Sequence, residues 1–333
     1  MNEQKRVLVT GAGGFIGSHL VAYLKKKGYW VRGADLKLPE FSSTGADEFR
    51  ILDLRRWEAC LEATEGIDEV YALAADMGGM GFISANHAQI LFNNSLINLH
   101  TIEAARQNGV AKYLYTSSAC IYPEHLQTEK NVVPLKEDDA YPANPQDAYG
   151  WEKLVSERLC NHYREDYGLD TRIVRFHNIF GENGTWDGGR EKAPAALCRK
   201  IASAKILGAS EIEIWGDGEQ TRSFCYIDDC VEGIYRLMRS DFYEPLNLGQ
   251  DRMVSINELV DIIVEIANVS VTKKHIDGPQ GVRGRNSDNT KLREVLGWEP
   301  QISLENGLTR TYAWIEAQVA ASAQPRPAGV TSA

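Results

Sequence analysis

Short apolar runs alternate with longer helix-period stretches through the first half of the chain. Arg6-Val7-Leu8-Val9-Thr10, Tyr29-Trp30-Val31-Arg32-Gly33-Ala34-Asp35, residues 49–54, residues 69–75 and Tyr113-Leu114-Tyr115-Thr116 read as strands. A long helix is expected from about 84 to 108 and another over 148–167, with a sixth strand over 171–176. This alternation predicts an α/β fold with a Rossmann-type doubly wound parallel sheet, whose ligands bind beyond the carboxyl ends of the strands. After 177 the elements shorten and mix: helix 194–206, strand 211–215, helices 228–239 and 255–268, and an amphipathic helix near 304–319. The division expected is a dinucleotide-binding domain over 1–177, to which some later segments return, and a smaller mixed α/β substrate domain over 178–319. The Ala-, Ser- and Pro-rich tail from 320 reads as disordered.

The first strand runs directly into Gly11-Ala12-Gly13-Gly14-Phe15-Ile16-Gly17 and then into a helical segment. Glycines at 11, 14 and 17 permit a tight turn and let backbone N–H groups approach a pyrophosphate at a helix N-terminus. Phe15 and Ile16, inside that turn, are expected to contact the cofactor. Asp35 ends the second strand about 20 residues later, where a carboxylate accepts ribose hydroxyls and repels a 2′-phosphate, favouring NAD over NADP. Lys37 tempers that preference slightly. Asp53 and Leu54 end the third strand, with Asp53 placed for an adenine amino group, and the small Ala74 ends the fourth.

The fifth strand leads into Ser117-Ser118-Ala119-Cys120-Ile121-Tyr122-Pro123-Glu124. Tyr149 and Lys153, four apart, share one face of the following helix. A free phenol, with a pKa of about 10, is a poor base at neutral pH. The Lys153 ammonium and a cationic nicotinamide would both favour phenolate, while Ser118 orients a substrate hydroxyl. These residues make a site for removing a carbinol proton as hydride leaves.

Charge and composition narrow the partners. The chain is 43% hydrophobic with a net charge of −10, which argues against a general nucleic-acid or anionic-membrane binder. No apolar stretch precedes the first strand and no run approaches membrane-spanning length, so a cytoplasmic protein is expected. The six cysteines form no C-x-x-C pair and the seven histidines no ligand-spaced cluster, so neither disulfides nor a metal site is expected.

Gly11, Gly14 and Gly17 with Asp35, Ser118, Tyr149 and Lys153 resemble the extended short-chain dehydrogenase/reductases that act on nucleotide sugars. Longer strings narrow the resemblance to the branch that epimerises GDP-mannose at C3 and C5. They are residues 74–82, the stretch 117–124, Gly188-Gly189-Arg190-Glu191-Lys192-Ala193-Pro194 and Gly281-Val282-Arg283-Gly284-Arg285-Asn286. The resemblance reaches about residue 318. It implies NAD as cofactor and a GDP-sugar as substrate, with GDP-L-galactose, and GDP-L-gulose by C5 inversion alone, as products. It also implies a homodimer through the helices near 84–108 and 147–167. A transient C4 ketone acidifies both neighbouring carbons, and each inversion needs a base on one face and an acid on the other. Cys120 is the base and Lys192 the acid in this reading. Asn178, Gly78, Glu191, Ala193 and Gln220 join Ser118 near the substrate, with Thr221 also expected there, and Arg222 and Arg285, assisted by Lys200, are expected at the pyrophosphate or the sugar hydroxyls. Arg283 reads as a surface ion-pair residue, and His177 as either a pocket residue or a packed strand end.

Other readings stay open on the residues alone. A nucleotide-sugar 4-epimerase or 4,6-dehydratase uses the same redox site, although dehydratases of this family carry an acidic pair where this chain has Cys120-Ile121. A non-catalytic NAD-binding sensor is the remaining alternative. It would be expected to lose Tyr149 or Lys153, and this chain keeps both.

Overall fold

The computed structural model describes residues 4–279 and 281–323. Seven parallel strands form the central sheet: Arg6–Thr10 (β1), Trp30–Asp35 (β2), Glu48–Ile51 (β3), Glu69–Ala72 (β4), Lys112–Ser118 (β5), Asp170–Phe176 (β6) and the later Pro245–Leu248. Their order is Pro245–Leu248, β6, β5, β4, β1, β2, β3, so the order reverses between β1 and β4. Helices Phe15–Lys26 (α1), Trp57–Thr64 (α2), Met80–Ala85 (α3), His87–Gln107 (α4) and Ala148–Tyr167 (α5) connect the first six strands. Val7, Leu8, Val9, Val70, Tyr71 and Leu114 are fully buried, as expected for a parallel sheet covered on both faces. Register brings Ser118 level with Phe176 at the carboxyl edge. The crevice at the reversal point opens on that edge.

The remaining helices are Ala193–Leu207 (α6), Ile227–Arg239 (α7), Ile256–Ala267 (α8), Thr290–Leu296 (α9) and Leu304–Ala323 (α10). Two segments from beyond 177 return to the sheet. Pro245–Leu248 pairs with β6, and α7 packs on α1, where Tyr23 donates to Glu232. One apolar core joins Val9 and Leu114 of the sheet to Leu197, Leu259 and Leu308 of the later helices.

Three sequence expectations are corrected. The fourth strand stops at Ala72, because the N–H groups of Leu73 and Ala74 turn onto the Thr10 hydroxyl, each at 3.1 Å. The single helix over 84–108 is two helices broken at Asn86, whose side-chain amide donates to the Phe82 carbonyl at 2.8 Å. The last helix runs on through Ala323, so 320–323 are ordered, alanine being the best helix former. The rest of the expected disordered tail, 324–333, lies outside the described residues.

Candidate active site

A single cleft of about 980 Å³ runs along the carboxyl edge of the sheet. Its floor at one end is the β1–α1 turn. Gly11 has φ +70°, and a Cβ there would meet the Ala74 nitrogen at 2.9 Å, so β1 and β4 can close on each other only with glycine. Helix α1 starts from Gly14 with no side-chain cap and no acidic residue in its first turn. Its first N–H groups, those of Phe15, Ile16 and Gly17, are therefore available to an anion. Asp35 accepts the Gly13 N–H at 2.9 Å at the cleft wall, and burial raises its carboxyl above the usual range. An uncapped helix end beside a strand-end carboxylate fits a dinucleotide. All the expected cofactor residues, including Asp53, Leu54 and Ala74, line this part of the cleft. The Asp53 carboxylate itself is taken up by Arg55, at 2.8 and 2.7 Å.

The middle of the cleft holds the residues singled out at the end of β5. The Ser118 hydroxyl accepts the Cys120 N–H at 3.2 Å and caps the single 3-10 turn Ala119–Ile121. Behind that turn, Arg175 grips the buried Glu157 carboxylate at 2.9 and 2.7 Å and donates to Tyr122 at 3.1 Å. Ser117 donates to the same carboxylate at 2.5 Å, so both sides of Ser118–Cys120 are tied to one buried ion pair. Helix α5 begins where Asp147 accepts the Gly150 N–H at 2.8 Å, a cap of about 1 kcal/mol, and this places Tyr149 in the first turn.

Tyr149 is buried beside Ser118. Burial, then the neighbouring Cys120 and Glu152, push its phenol well above 10, and the Ser118 side chain only partly offsets them. The expectation that Lys153 would favour phenolate is thus not met by the protein alone. The Lys153 ammonium donates to the Thr116 carbonyl at 3.0 Å and lies 5.5 Å from the centre of the Tyr149 ring.

Lys192 lines the same cleft from a different element, the N-cap of α6. It is open to the cleft but crowded by protein elsewhere. Desolvation lowers its ammonium below the usual lysine range, with Cys120 opposing that shift by its charge. Arg285 donates to the Cys120 sulfur at 3.3 Å and to Gln127 at 2.5 Å. Arg222 lines the same wall, brought down to about 9 by burial and by Arg285. Gly78, Asn178, Glu191, Ala193, Lys200 and Gln220 also line the cleft, and Lys200 donates to the Glu213 carbonyl at 2.6 Å. Thr221 does not. Strand Thr221–Ser223 points Arg222 into the cleft and Thr221 away from it, with its hydroxyl on the Lys130 carbonyl. Arg283 makes a two-pronged pair with Asp217 at 2.8 Å, and His177 is packed, fully buried, against Asn247 at 3.0 Å.

Sequence reasoning missed the contacts that close the cleft mouth. Arg190 reaches Asp76 at 3.4 Å, sits 3.8 Å over the Phe82 ring, and gives its carbonyl to the Gly79 N–H at 3.0 Å. Gln89 and Asn93 hold the Asp76 carboxylate from α4, each at 2.9 Å. Exposed Trp215 lines the cleft with its ring 6.0 Å from the Lys200 ammonium. The charged Asp76 and Arg190 inside otherwise Gly-rich stretches were the available signal. Among the described residues no group of His, Cys, Asp and Glu is placed to hold a metal ion, and all six thiols are free. No helix among them is long and apolar enough to cross a membrane.

The sequence profile of the NAD dependent epimerase/dehydratase family matches residues 7–249. The chain is 53% identical to GDP-mannose 3,5-epimerase of Arabidopsis thaliana, over 96% of this chain and 84% of that protein. Among solved structures it is similar to UDP-glucose 4-epimerase of Thermotoga maritima with UDP-glucose. That likeness has a TM-score of 0.83 and 27% identity, covering 94% of this chain and 99% of the other. The UDP-glucuronic acid 4-epimerase of Bacillus cereus, in complex with UDP-glucuronic acid and NAD, gives a TM-score of 0.78 at 27% identity. It too covers 94% of this chain and 99% of the other.

Proposed function

The chain belongs to the NAD dependent epimerase/dehydratase family, and from that premise we propose that it inverts C3 and C5 of GDP-D-mannose to give GDP-L-galactose. Inversion at C5 alone gives GDP-L-gulose. The observation that carries this reading is that Cys120 and Lys192, from different elements, line one cleft together with Ser118 and Tyr149, close enough for Cys120 to act on the Lys192 charge. A 4-epimerase needs no such pair.

Bound NAD supplies a reversible hydride acceptor at C4. Tyr149 removes the C4 hydroxyl proton, Ser118 orients that hydroxyl, and Lys153 holds positive charge behind the phenol. With C4 a ketone, the protons on C3 and C5 become acidic. Cys120 takes a proton from one face and Lys192 delivers one to the other, after which Tyr149 returns its proton to the C4 oxygen as hydride comes back to C4 on its original face. The lowered basicity of Lys192 makes its ammonium a stronger acid than that of a free lysine. Phe15, Ile16 and Gly17 would present their N–H groups to the cofactor pyrophosphate, and Asp35 would receive its ribose. Arg222 and Arg285 supply fixed donors for the GDP oxyanions.

The reading extends to a cytoplasmic homodimer. Phe92 and Leu99 on α4, with Trp151 and Val155 on α5, leave a large apolar area exposed. An apolar groove of about 520 Å³ beside Tyr141 and Trp151 shares no residue with the cleft.

Incubation with GDP-α-D-mannose in deuterated water, followed by NMR, tests the function. Deuterium at C3 and C5 is expected. Exchange at neither position by folded, NAD-loaded protein overturns the proposal.

A further inference from the structure

Glu152 is a buried carboxylate for which the proposed chemistry has no use. It sits on α5 between Tyr149 and Lys153, with its side chain fully buried. One oxygen, Oε2, accepts from Asn98 at 2.9 Å, and Asn98 is shared with Ser156 at 3.0 Å and Tyr115 at 3.3 Å. The other, Oε1, has no hydrogen-bond partner among the described residues and lies 3.7 Å from the Lys153 ammonium. A carboxylate oxygen left without a donor in the interior is unusual, because its desolvation goes uncompensated. The arrangement makes sense if the compensation is charge.

We propose that Glu152 is the buried counter-ion of Lys153, holding that lysine as an ammonium behind Tyr149 and so acting through it as a positioning residue of the redox site. This rests on the reading of Tyr149 and Lys153 given above. The Lys153 side chain is almost fully buried, and among the described residues the only other bond on its nitrogen is to the neutral Thr116 carbonyl. A buried ammonium without an opposite charge tends to shed its proton. The titratable groups facing Glu152 are Lys153 and Tyr149 on its own helix and Tyr115 on β5; Asn94 and Asn98 face it from α4. Lys153 is the only cation in that set. Burial raises the Glu152 carboxyl and Lys153 is the largest influence drawing it back, in keeping with such a pair. The position needs a carboxylate. A glutamine there would turn an NH₂ group toward either Lys153 or the Asn98 amide, donor against donor.

The test follows the ε-carbon of Lys153 by carbon-13 NMR across pH in the NAD-saturated chain without sugar, the signal assigned by its loss in Lys153→Arg. In Glu152→Gln the lysine is expected to titrate about one pH unit or more below its position in the parent. Glu152→Asp, which keeps the charge, should restore most of that difference. An unchanged Lys153 midpoint in Glu152→Gln overturns the proposal. Should Glu152→Gln not fold, the carboxyl carbon of Glu152 in the parent, assigned by its loss in Glu152→Asp, decides. A carboxylate shift near neutral pH supports the pairing and a carboxylic-acid shift overturns it. Neither measurement uses GDP-mannose, so failure of the substrate assignment leaves both readable.

Discussion

Gly150 lies flat against the Cys120 carbonyl: a Cβ on Gly150 would come within 2.2 Å of that oxygen and 2.8 Å of the Pro145 side chain. The helix that carries Tyr149 and Lys153 and the turn that carries Cys120 therefore touch backbone to backbone. Gly150→Ala must push them apart. The expected cost is about 1–3 kcal/mol in denaturant unfolding, with a larger loss in C3/C5 exchange than in C4 oxidation. Exchange and oxidation falling in equal proportion would show that the contact does not set Cys120.

The two chemical devices should separate by mutation. Cys120→Ser and Lys192→Ala are expected to lower deuterium entry at C3 and C5 by roughly 10²–10⁴-fold. Reduced cofactor should still form from GDP-mannose, read by its absorbance. Full exchange in either variant would remove that residue from the inversion step.

Asp35 should govern the choice of dinucleotide. Asp35→Ala removes the acceptor at the cleft wall, and hydrogen bonds to a charged group contribute about 1.5–3 kcal/mol. NAD affinity should fall tenfold or more while NADP affinity holds or rises, measured by fluorescence titration. An unaltered NAD-to-NADP ratio would mean that Asp35 only braces Gly13.

His177 predicts an acid limb of stability. Burial brings its pKa from 6.5 to about 3, so the folded chain keeps it neutral. Its contribution is complete above the unfolded value of 6.5 and is lost as pH falls toward about 3, at about 1.4 kcal/mol per pH unit. His177→Phe should flatten that part of the curve of urea midpoint against pH. An identical slope in parent and variant would assign the acid limb to other groups.

The exposed apolar faces of α4 and α5 should be covered in solution. The parent is expected to sediment as a dimer, and Val155→Glu as a monomer. A parent that sediments as a monomer at micromolar concentration would end the dimer reading.

The redox half of the site was legible because its parts are local. The β1–α1 glycine turn, Asp35 at a strand end, and Tyr149 with Lys153 one helical turn apart each follow from spacing inside one element. Cys120 and Lys192 could be paired only through resemblance, since no periodicity links a strand-end turn to a loop some 70 residues on. Thr221 was misplaced for want of a rule that was available. Arg222 facing the ligand obliges its strand neighbours to face away, and the hydroxyl duly holds Lys130. Glu152 and the Asp76–Arg190 contact escaped notice because a charged residue in a helix or loop reads as solvated until its neighbours are known. The break at Asn86 escaped because a helical hydrophobic pattern continues through it. Only the side-chain bond to Phe82 shows where the helix ends.

The Ser118 hydroxyl, to which the proposed mechanism gives the task of orienting the C4 hydroxyl, also fixes the backbone of Cys120, two residues along the same turn. On the proposed roles, oxidation and inversion are thus geared together by one oxygen atom. Losing that oxygen would misset both, so Ser118→Ala and Cys120→Ser in combination should cost much less than the product of their separate effects. Substitution at this turn also has little freedom to change one chemical task while sparing the other. The route from a single to a double inversion is therefore easier through Lys192, which stands on a different element.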